Sequence, residues 1–115
     1  MPQYMLLMYH SGGEYTPDPD QMATEHEKWT AYHKSLSDAG VLLSNTGLQG
    51  VEAATTVRVR DGETQITDGP FAETKEVLAG YFLIEVADLD TALKYAAGIP
   101  SAEYGSVEVR PAWGA

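Results

Sequence analysis

The spacing of hydrophobic and polar residues changes along this chain, and the changes separate predicted strands from predicted helices. Residues 4–9 are apolar on both faces, which predicts a central strand that ends at the bend Ser11-Gly12-Gly13. Residues 55–60 alternate with a period of two, and Asp61-Gly62 predicts a hairpin turn. Further strands are predicted at residues 41–43, 64–67, 80–86 and 107–110.

A long helix is predicted between residues 19 and 39. Asp18 is suited to cap its free amides, Pro19 fits its first position and Gln21 completes a capping box, while Gly40 ends it. Residues spaced by three and four positions form one stripe that should face the sheet, namely Met22, His26, Trp29, His33 and Leu36. Two histidines therefore lie on the face that we expect to pack.

The second predicted helix begins after its capping residue Asp88 and ends at Gly98. Its inward face should carry Leu89, Ala92, Leu93 and Ala96. The order is strand–helix–strand, hairpin, strand–helix–strand. This order predicts one α+β domain over residues 1–115, a ferredoxin-like split βαβ arrangement with an inserted β-hairpin.

The predicted helices cover one face of the sheet and leave the other face open. Residues 4–9 and 81–86 are too apolar for an open face to remain in water. A second copy packing sheet against sheet would cover it, so we expect a homodimer with two-fold symmetry.

Charge and composition restrict the partners. Seventeen Asp and Glu against seven Lys and Arg give a formal net charge of −10, so the surface should repel nucleic acids and anionic membranes. Cysteine is absent, which removes disulfides and thiolate chemistry. With no long apolar run and no signal-peptide pattern at the N-terminus, we expect a cytoplasmic protein.

Several segments resemble one known family. Residues 57–62 and 67–76, which include Asp68-Gly69-Pro70-Phe71, together with Gly80-Tyr81 and residues 107–111, are similar to the DGPF branch of the YCII-related proteins. The resemblance spans nearly the whole chain and implies a dimeric α+β barrel. It also implies a regulatory setting, because proteins of this branch resemble products encoded beside extracytoplasmic-function sigma factors.

The resemblance further implies a histidine and an acidic residue as a catalytic pair, and one relative removes chloride from a chlorinated hydroxyquinone. In the narrower family pattern the helical histidine stands eleven residues before the glycine that ends the helix. Counting back from Gly40 gives Trp29, with His26 one turn earlier and His33 one turn later. The Gly-Pro that often follows the second strand of these relatives also has no match here. The catalytic histidine and acidic residue of the family therefore cannot be assigned directly to positions in this chain.

The fold itself suggests where a site should lie. The end of the first strand, the start of the first helix and the turn at Asp68 should share one edge of the sheet, which would bring His10, His26 and Asp68 together. We take His26 and Asp68 as the candidate acid–base pair. The candidate binding residues are His10, Tyr9, Glu73 and His33.

A structural role is the alternative for each of these residues. Asp68 can simply accept backbone amides in the turn before Gly69-Pro70, and Phe71 can anchor the core. His26 and His33 can be hydrogen-bonded core histidines. They are also separated by about 10.5 Å along the helix axis, too far to share one metal ion.

No metal-ligand spacing, phosphate-binding glycine loop or serine nucleophile elbow occurs in the sequence, so we expect no metal and no cofactor. Two functions remain open. The first is a cofactor-independent, lyase-like enzyme that uses histidine and aspartate for proton transfer on a small molecule. The second is a non-catalytic ligand-binding or regulatory module.

Overall fold

A computed structural model describes residues 1–11 and 18–113 of the chain. The Gly12-Gly13 bend lies outside the described residues. The strands are β1 (Gln3–Ser11), β2 (Leu42–Gly47), β3 (Thr55–Arg60), β4 (Glu63–Asp68), β5 (Glu76–Glu85) and β6 (Ser106–Pro111). The α-helices are α1 (Pro19–Ala39) and α2 (Leu89–Ala97), and short 3-10 turns occupy Val51–Ala53 and Pro100–Glu103. In the described residues, neither α-helix combines the length and apolarity needed to cross a bilayer.

Four strands form an antiparallel sheet in the order β2-β5-β1-β6, which confirms the predicted central position of β1. β3 and β4 pair only with each other, in a second sheet of two strands. The structure is therefore an α+β fold with antiparallel sheets and two helices, compatible with a ferredoxin-like arrangement.

The strand register divides the four-stranded sheet into a buried face and an open face. Leu6 lies opposite Phe82 and Val109, on the face that packs against the helices. Leu7 lies opposite Tyr81 on the other face, where it is only half-buried. The alternation follows from the two-residue period of a strand.

The local signals at the ends of α1 are confirmed. The Asp18 carboxylate accepts a hydrogen bond from the Gln21 amide at 2.8 Å, and the Gln21 side chain accepts one from the Asp18 amide at 3.0 Å. Gly40 ends the helix with a φ of 71°. The boundaries agree with the prediction because capping depends on neighbouring residues alone.

The predicted inward stripe of α1 is wrong in its N-terminal half. Leu36 is fully buried, and Trp29 and His33 are half-buried, but His26 is exposed and Met22 is 58% exposed. A stripe is buried only where another element lies beneath it. The covered part of α1 begins at Trp29, because Trp29, Tyr32 and His33 pack against Phe82 of β5.

The second helix shows the same pattern on a smaller scale. Ala92 and Ala96 are buried, while Leu89 is 47% exposed and Leu93 is 46% exposed. The predicted inward position of the two leucines is therefore only partly realised. Small residues hold α2 close to the sheet, and the larger residues lie at the edge of the contact.

We call the hairpin of residues 55–68, β3 with β4, the β3–β4 arm. Its predicted turn is confirmed, because Asp61 and Gly62 both have positive φ, 52° and 78°. At its base, the Gly69 amide donates to the Ala54 carbonyl at 2.8 Å, with Gly69 at a φ of 98°. Phe71 is 78% exposed, so its predicted role as a core anchor is wrong.

Tyr32 connects the two helices inside the core. Its hydroxyl donates to the Tyr95 carbonyl oxygen at 2.8 Å, and the side chain is buried. Burial raises the pKa of the Tyr32 phenol above its ordinary value, and the nearby Tyr95 phenol adds to this shift. The folded protein therefore holds this proton more tightly than the unfolded chain does.

This shift predicts a loss of stability in alkali. Above about pH 10 the unfolded chain releases the phenolic proton while the folded protein retains it, so the free energy of unfolding should fall as the pH rises. Tyr32→Phe should remove this contribution of up to about 1.4 kcal/mol per pH unit. Urea unfolding of the wild type and of Tyr32→Phe from pH 8 to pH 11.5 tests this. The difference between their free energies of unfolding should shrink above about pH 10. A constant difference across that range would contradict the assignment.

Candidate functional site

A cavity of about 340 Å³ opens on the helix side of the sheet, where five elements meet. They are the end of β1, the middle of α1, the end of β2, the middle of β5 and the turn at Pro100–Glu103. The residues that carry its chemistry are His10, Trp29, His33, Asn45, Ser101 and Tyr104. Met8 and Phe82 form its apolar floor.

His10 enters the cavity wall from the end of β1. Its Nδ1 atom lies 2.8 Å from the carbonyl oxygen of Ser11. Because a carbonyl only accepts hydrogen bonds, Nδ1 must carry the proton in this contact. In the neutral ring the Nε2 atom therefore carries a lone pair, which can accept a proton or a hydrogen bond.

His33 reaches the same cavity from α1. Its Nε2 atom is 3.1 Å from Nδ2 of Asn45 on β2, and its ring packs edge-on against Phe82 at 5.3 Å between centroids. With the Asn45 amide in this orientation, Nδ2 donates and Nε2 accepts, so the His33 proton is on Nδ1. The hydrogen bond and the aromatic contact together fix the orientation of the ring.

Trp29 lies one turn before His33 and forms another part of the wall. Its ring is parallel to Phe82 within 7°, with centroids 6.3 Å apart, and the side chain is only half-buried. An aromatic surface therefore remains accessible beside two imidazoles. The cavity offers both a stacking surface and hydrogen-bonding groups.

The close approach of β2 and β5 shapes one side of the cavity. Gly80 on β5 has a φ of 156°, and a β-carbon there would clash with the carbonyl oxygen of Thr46. The Leu48 amide donates to the Ala79 carbonyl at 2.7 Å beside it. Only glycine allows the two strands to meet at this point without displacement.

The structure groups the predicted site residues differently from the expectation. His10 and His33 line one cavity, whereas His26 is exposed on the first turns of α1 and Asp68 is exposed at the base of the β3–β4 arm. Neither His26 nor Asp68 is among the described residues that line the cavity. The pairing of these two side chains stays a prediction.

The other two predicted binding residues also lie elsewhere. Tyr9 is on the open face of the sheet, where its hydroxyl is 3.5 Å from a carboxylate oxygen of Glu108. It lines a separate, shallow groove with Glu76 and Ser106. Glu73 is exposed between β4 and β5.

Sequence reasoning missed Asn45 and Ser101. Asn45 lies opposite Phe82 in the strand register, beyond the predicted strand at residues 41–43. Periodicity could not place it, because a register shift between Leu42 and Ser44 turns Asn45 to the helix side, where regular alternation would put Ser44. Ser101 is buried in a 3-10 turn, and no periodicity predicts its position. Among the described residues, no group of three or more His, Asp or Glu side chains could hold a metal ion.

The fold and the site together define a small α+β protein with helices on one side of its sheet and a histidine-lined cavity between them. The chain belongs to the YCII-related family, whose domain pattern matches residues 2–114. It is also similar to an uncharacterised protein of Rhizobium meliloti strain 1021. The two are 45% identical over 84 residues, which cover 71% of this chain and 68% of the relative.

Proposed function

We propose that the protein binds a small polar molecule with an aromatic ring in the cavity between β1, α1 and β2. The observation that carries the proposal is that His10 and His33, from different elements, line the same cavity. A volume of about 340 Å³ is in the range of ligand pockets. An apolar cavity of about 150 Å³ holds benzene, so this one has room for a single substituted ring.

The chemistry of the lining supports this class of ligand. Trp29 and Phe82 provide aromatic surface, while Asn45, Ser101 and the imidazoles provide hydrogen-bonding groups. A ring with hydroxyl or carboxyl substituents would satisfy both kinds of contact. This recognition needs no cofactor.

A cofactor-independent, lyase-like enzyme is the second candidate. The Nδ1 contact of His10 leaves Nε2 as a base in the neutral ring, which could remove a proton from a bound hydroxyl group. However, the polar partners of His10 and His33 are a backbone carbonyl and an amide, not carboxylates. The ligand-binding module is therefore the better-supported function, and a His26–Asp68 pair is a separate proposal.

We also propose a branch of the family, a regulatory setting and an inserted hairpin for this protein. The sequence Asp68-Gly69-Pro70-Phe71 and its flanking residues support membership of the DGPF branch. That branch would place a ligand-binding module in a regulatory, sigma-factor-linked setting. The strand order supports reading the β3–β4 arm as an insertion into a ferredoxin-like unit. The cytoplasmic location stays a prediction.

We further propose that the protein is a homodimer in which the open sheet faces meet. Met5, Leu7 and Leu83 lie on that face and are only half-buried in the single chain. A second sheet packed on them would remove this apolar surface from water. The two-fold symmetry of such a dimer would complete the α+β barrel.

Histidine side-chain NMR tests the binding proposal, since the chain has three histidines. Catechol, phenol and benzoate are the probes, because each carries one ring and one kind of polar group. We expect at least one of them to shift the ring signals of His10 and His33 and to leave those of His26 unchanged. His33→Gln should weaken binding about tenfold through the lost hydrogen bonds.

His26→Gln is the matched control, with the same substitution on the same helix, and should bind as the wild type does. Shifts confined to His26 would overturn the cavity assignment and favour the His26–Asp68 pair. No shift with any probe would overturn the proposed ligand class. Conversion of a bound probe, seen as loss of its signals, would favour the enzyme over the binding module.

A further inference from the structure

The β3–β4 arm has one apolar side that faces solvent. Val57 and Val59 are each 60% exposed, and Ile66, which lies opposite Val57, is 69% exposed. Arg58 and Gln65, on the other side of the two strands, are polar. A hairpin with this alternation is built to pack one side against another surface.

Within residues 1–11 and 18–113, the apolar side of the arm faces solvent. In the described residues, β3 and β4 pack extensively only against each other, and every residue of β4 is exposed. The Cα radius of gyration is 16.3 Å, compared with about 13 Å for a compact chain of this length. A two-stranded hairpin standing alone in water is marginally stable. An additional contact would stabilise it.

We propose that the apolar side of the β3–β4 arm packs on a second copy of this chain. The inference rests on the homodimer proposed above and adds a second region to its interface. Charge supports this partner. The arm carries Arg58 and Arg60 against Asp61, Glu63 and Asp68, a net charge of −1, so the rest of the chain carries −9 of the total of −10.

Two copies of an acidic protein repel each other unless they meet through surfaces of balanced charge. The arm is such a surface, and it is also apolar. A basic partner would instead be attracted to the acidic remainder of the chain. The arm therefore fits a second copy better than it fits a basic partner.

The size of a stable interface explains why the arm would supplement the sheet face. A homodimer needs on the order of 800 Å² of buried surface on each copy. Three aliphatic side chains supply only part of that area. The open face with Met5, Leu7 and Leu83 would supply the rest.

Sedimentation equilibrium of charge variants tests the inference. Val57→Lys and Ile66→Lys should each raise the dimer dissociation constant at least about tenfold, because a lysine would be buried against the partner. Met22→Lys is the matched control, since Met22 is 58% exposed and lies outside the arm. It should change the constant less than about twofold. Circular dichroism at high dilution should show unchanged secondary structure for all three.

A second measurement uses the absence of cysteine in the chain. Ile66→Cys should react with Ellman's reagent more slowly above the dimer dissociation constant than at high dilution. Met22→Cys should react at the same rate at both concentrations. Slow reaction of Ile66→Cys at every concentration would overturn the inference, because it would show the arm closing on its own chain.

The remaining outcomes separate the two proposals. A wild-type protein that is monomeric at all concentrations would overturn both the dimer and the arm contact. A dimer that keeps its affinity in Val57→Lys and Ile66→Lys, with a fully reactive Ile66→Cys, would overturn the arm contact alone. The sheet-to-sheet dimer would then stand without it.

Discussion

Phe82→Ala should lower the free energy of unfolding by about 3–5 kcal/mol. Phe82 is 2% exposed and lies at the centre of the helix–sheet contact. Its ring centroid is 5.2 Å from Tyr32, 5.3 Å from His33 and 6.3 Å from Trp29. Truncation would remove all three aromatic contacts and leave a cavity that three rings from the same helix cannot fill without moving.

The chain contains a matched control, because its other phenylalanine is Phe71 at 78% exposure. Phe71→Ala should change stability by no more than about 0.5 kcal/mol. Urea unfolding followed by circular dichroism gives both values. If Phe82→Ala and Phe71→Ala lower the free energy of unfolding equally, the assignment of Phe82 to the core would be wrong.

Gly80→Ala should cost about 3 kcal/mol, the second largest effect we expect. The new β-carbon would clash with the Thr46 carbonyl oxygen and lie 3.0 Å from the Gly47 Cα, in a backbone conformation that side chains disfavour. The clash is with backbone, so a simple side-chain rotation cannot relieve it. β2 and β5 would have to separate at the cavity wall.

Gly47→Ala is the control for this prediction. A β-carbon at Gly47 would meet no atom within 4 Å, so the change should cost less than about 1 kcal/mol. Thermal unfolding of the two variants provides the comparison. Equal melting temperatures would contradict the close strand approach at Gly80. Gly80→Ala should also weaken the proposed ligand binding, because Thr46 and Gly47 belong to the cavity wall.

Much of the fold could be predicted from short stretches of sequence. The capping box at Asp18, the helix end at Gly40 and the hairpin turn at Asp61 depend on residues that lie within a few positions of one another. The central position of β1 followed from an apolar run with no polar face. Each of these signals is local, so no tertiary information was needed.

Depth of burial could not be predicted in the same way. Met22 and Leu36 share one helical stripe, yet Met22 is 58% exposed and Leu36 is fully buried. Periodicity gives the direction of a side chain but not the length over which a neighbouring element covers it. Phe71 was misplaced because it lies at the base of the arm, where the described residues leave it 78% exposed.

The candidate site depended on tertiary contacts still more strongly. His10 and His33 are 23 positions apart in the sequence and meet only because β1 and α1 border the same cavity. The pattern placed His26 and His33 on one stripe without distinguishing them. Asn45, which holds the His33 ring, comes from a third element. No spacing rule joins these three residues.

The packing of α1 on the sheet determines which of its positions can alter the cavity by substitution. Trp29 and His33 occupy adjacent turns of one stripe and both face the cavity, while His26, one turn before Trp29, faces solvent. Positions 29 and 33 both border the cavity, but Asn45 contacts the side chain at position 33. Point substitutions at positions 29 and 33 would therefore change the lining of the cavity directly, whereas a substitution at position 26 would not.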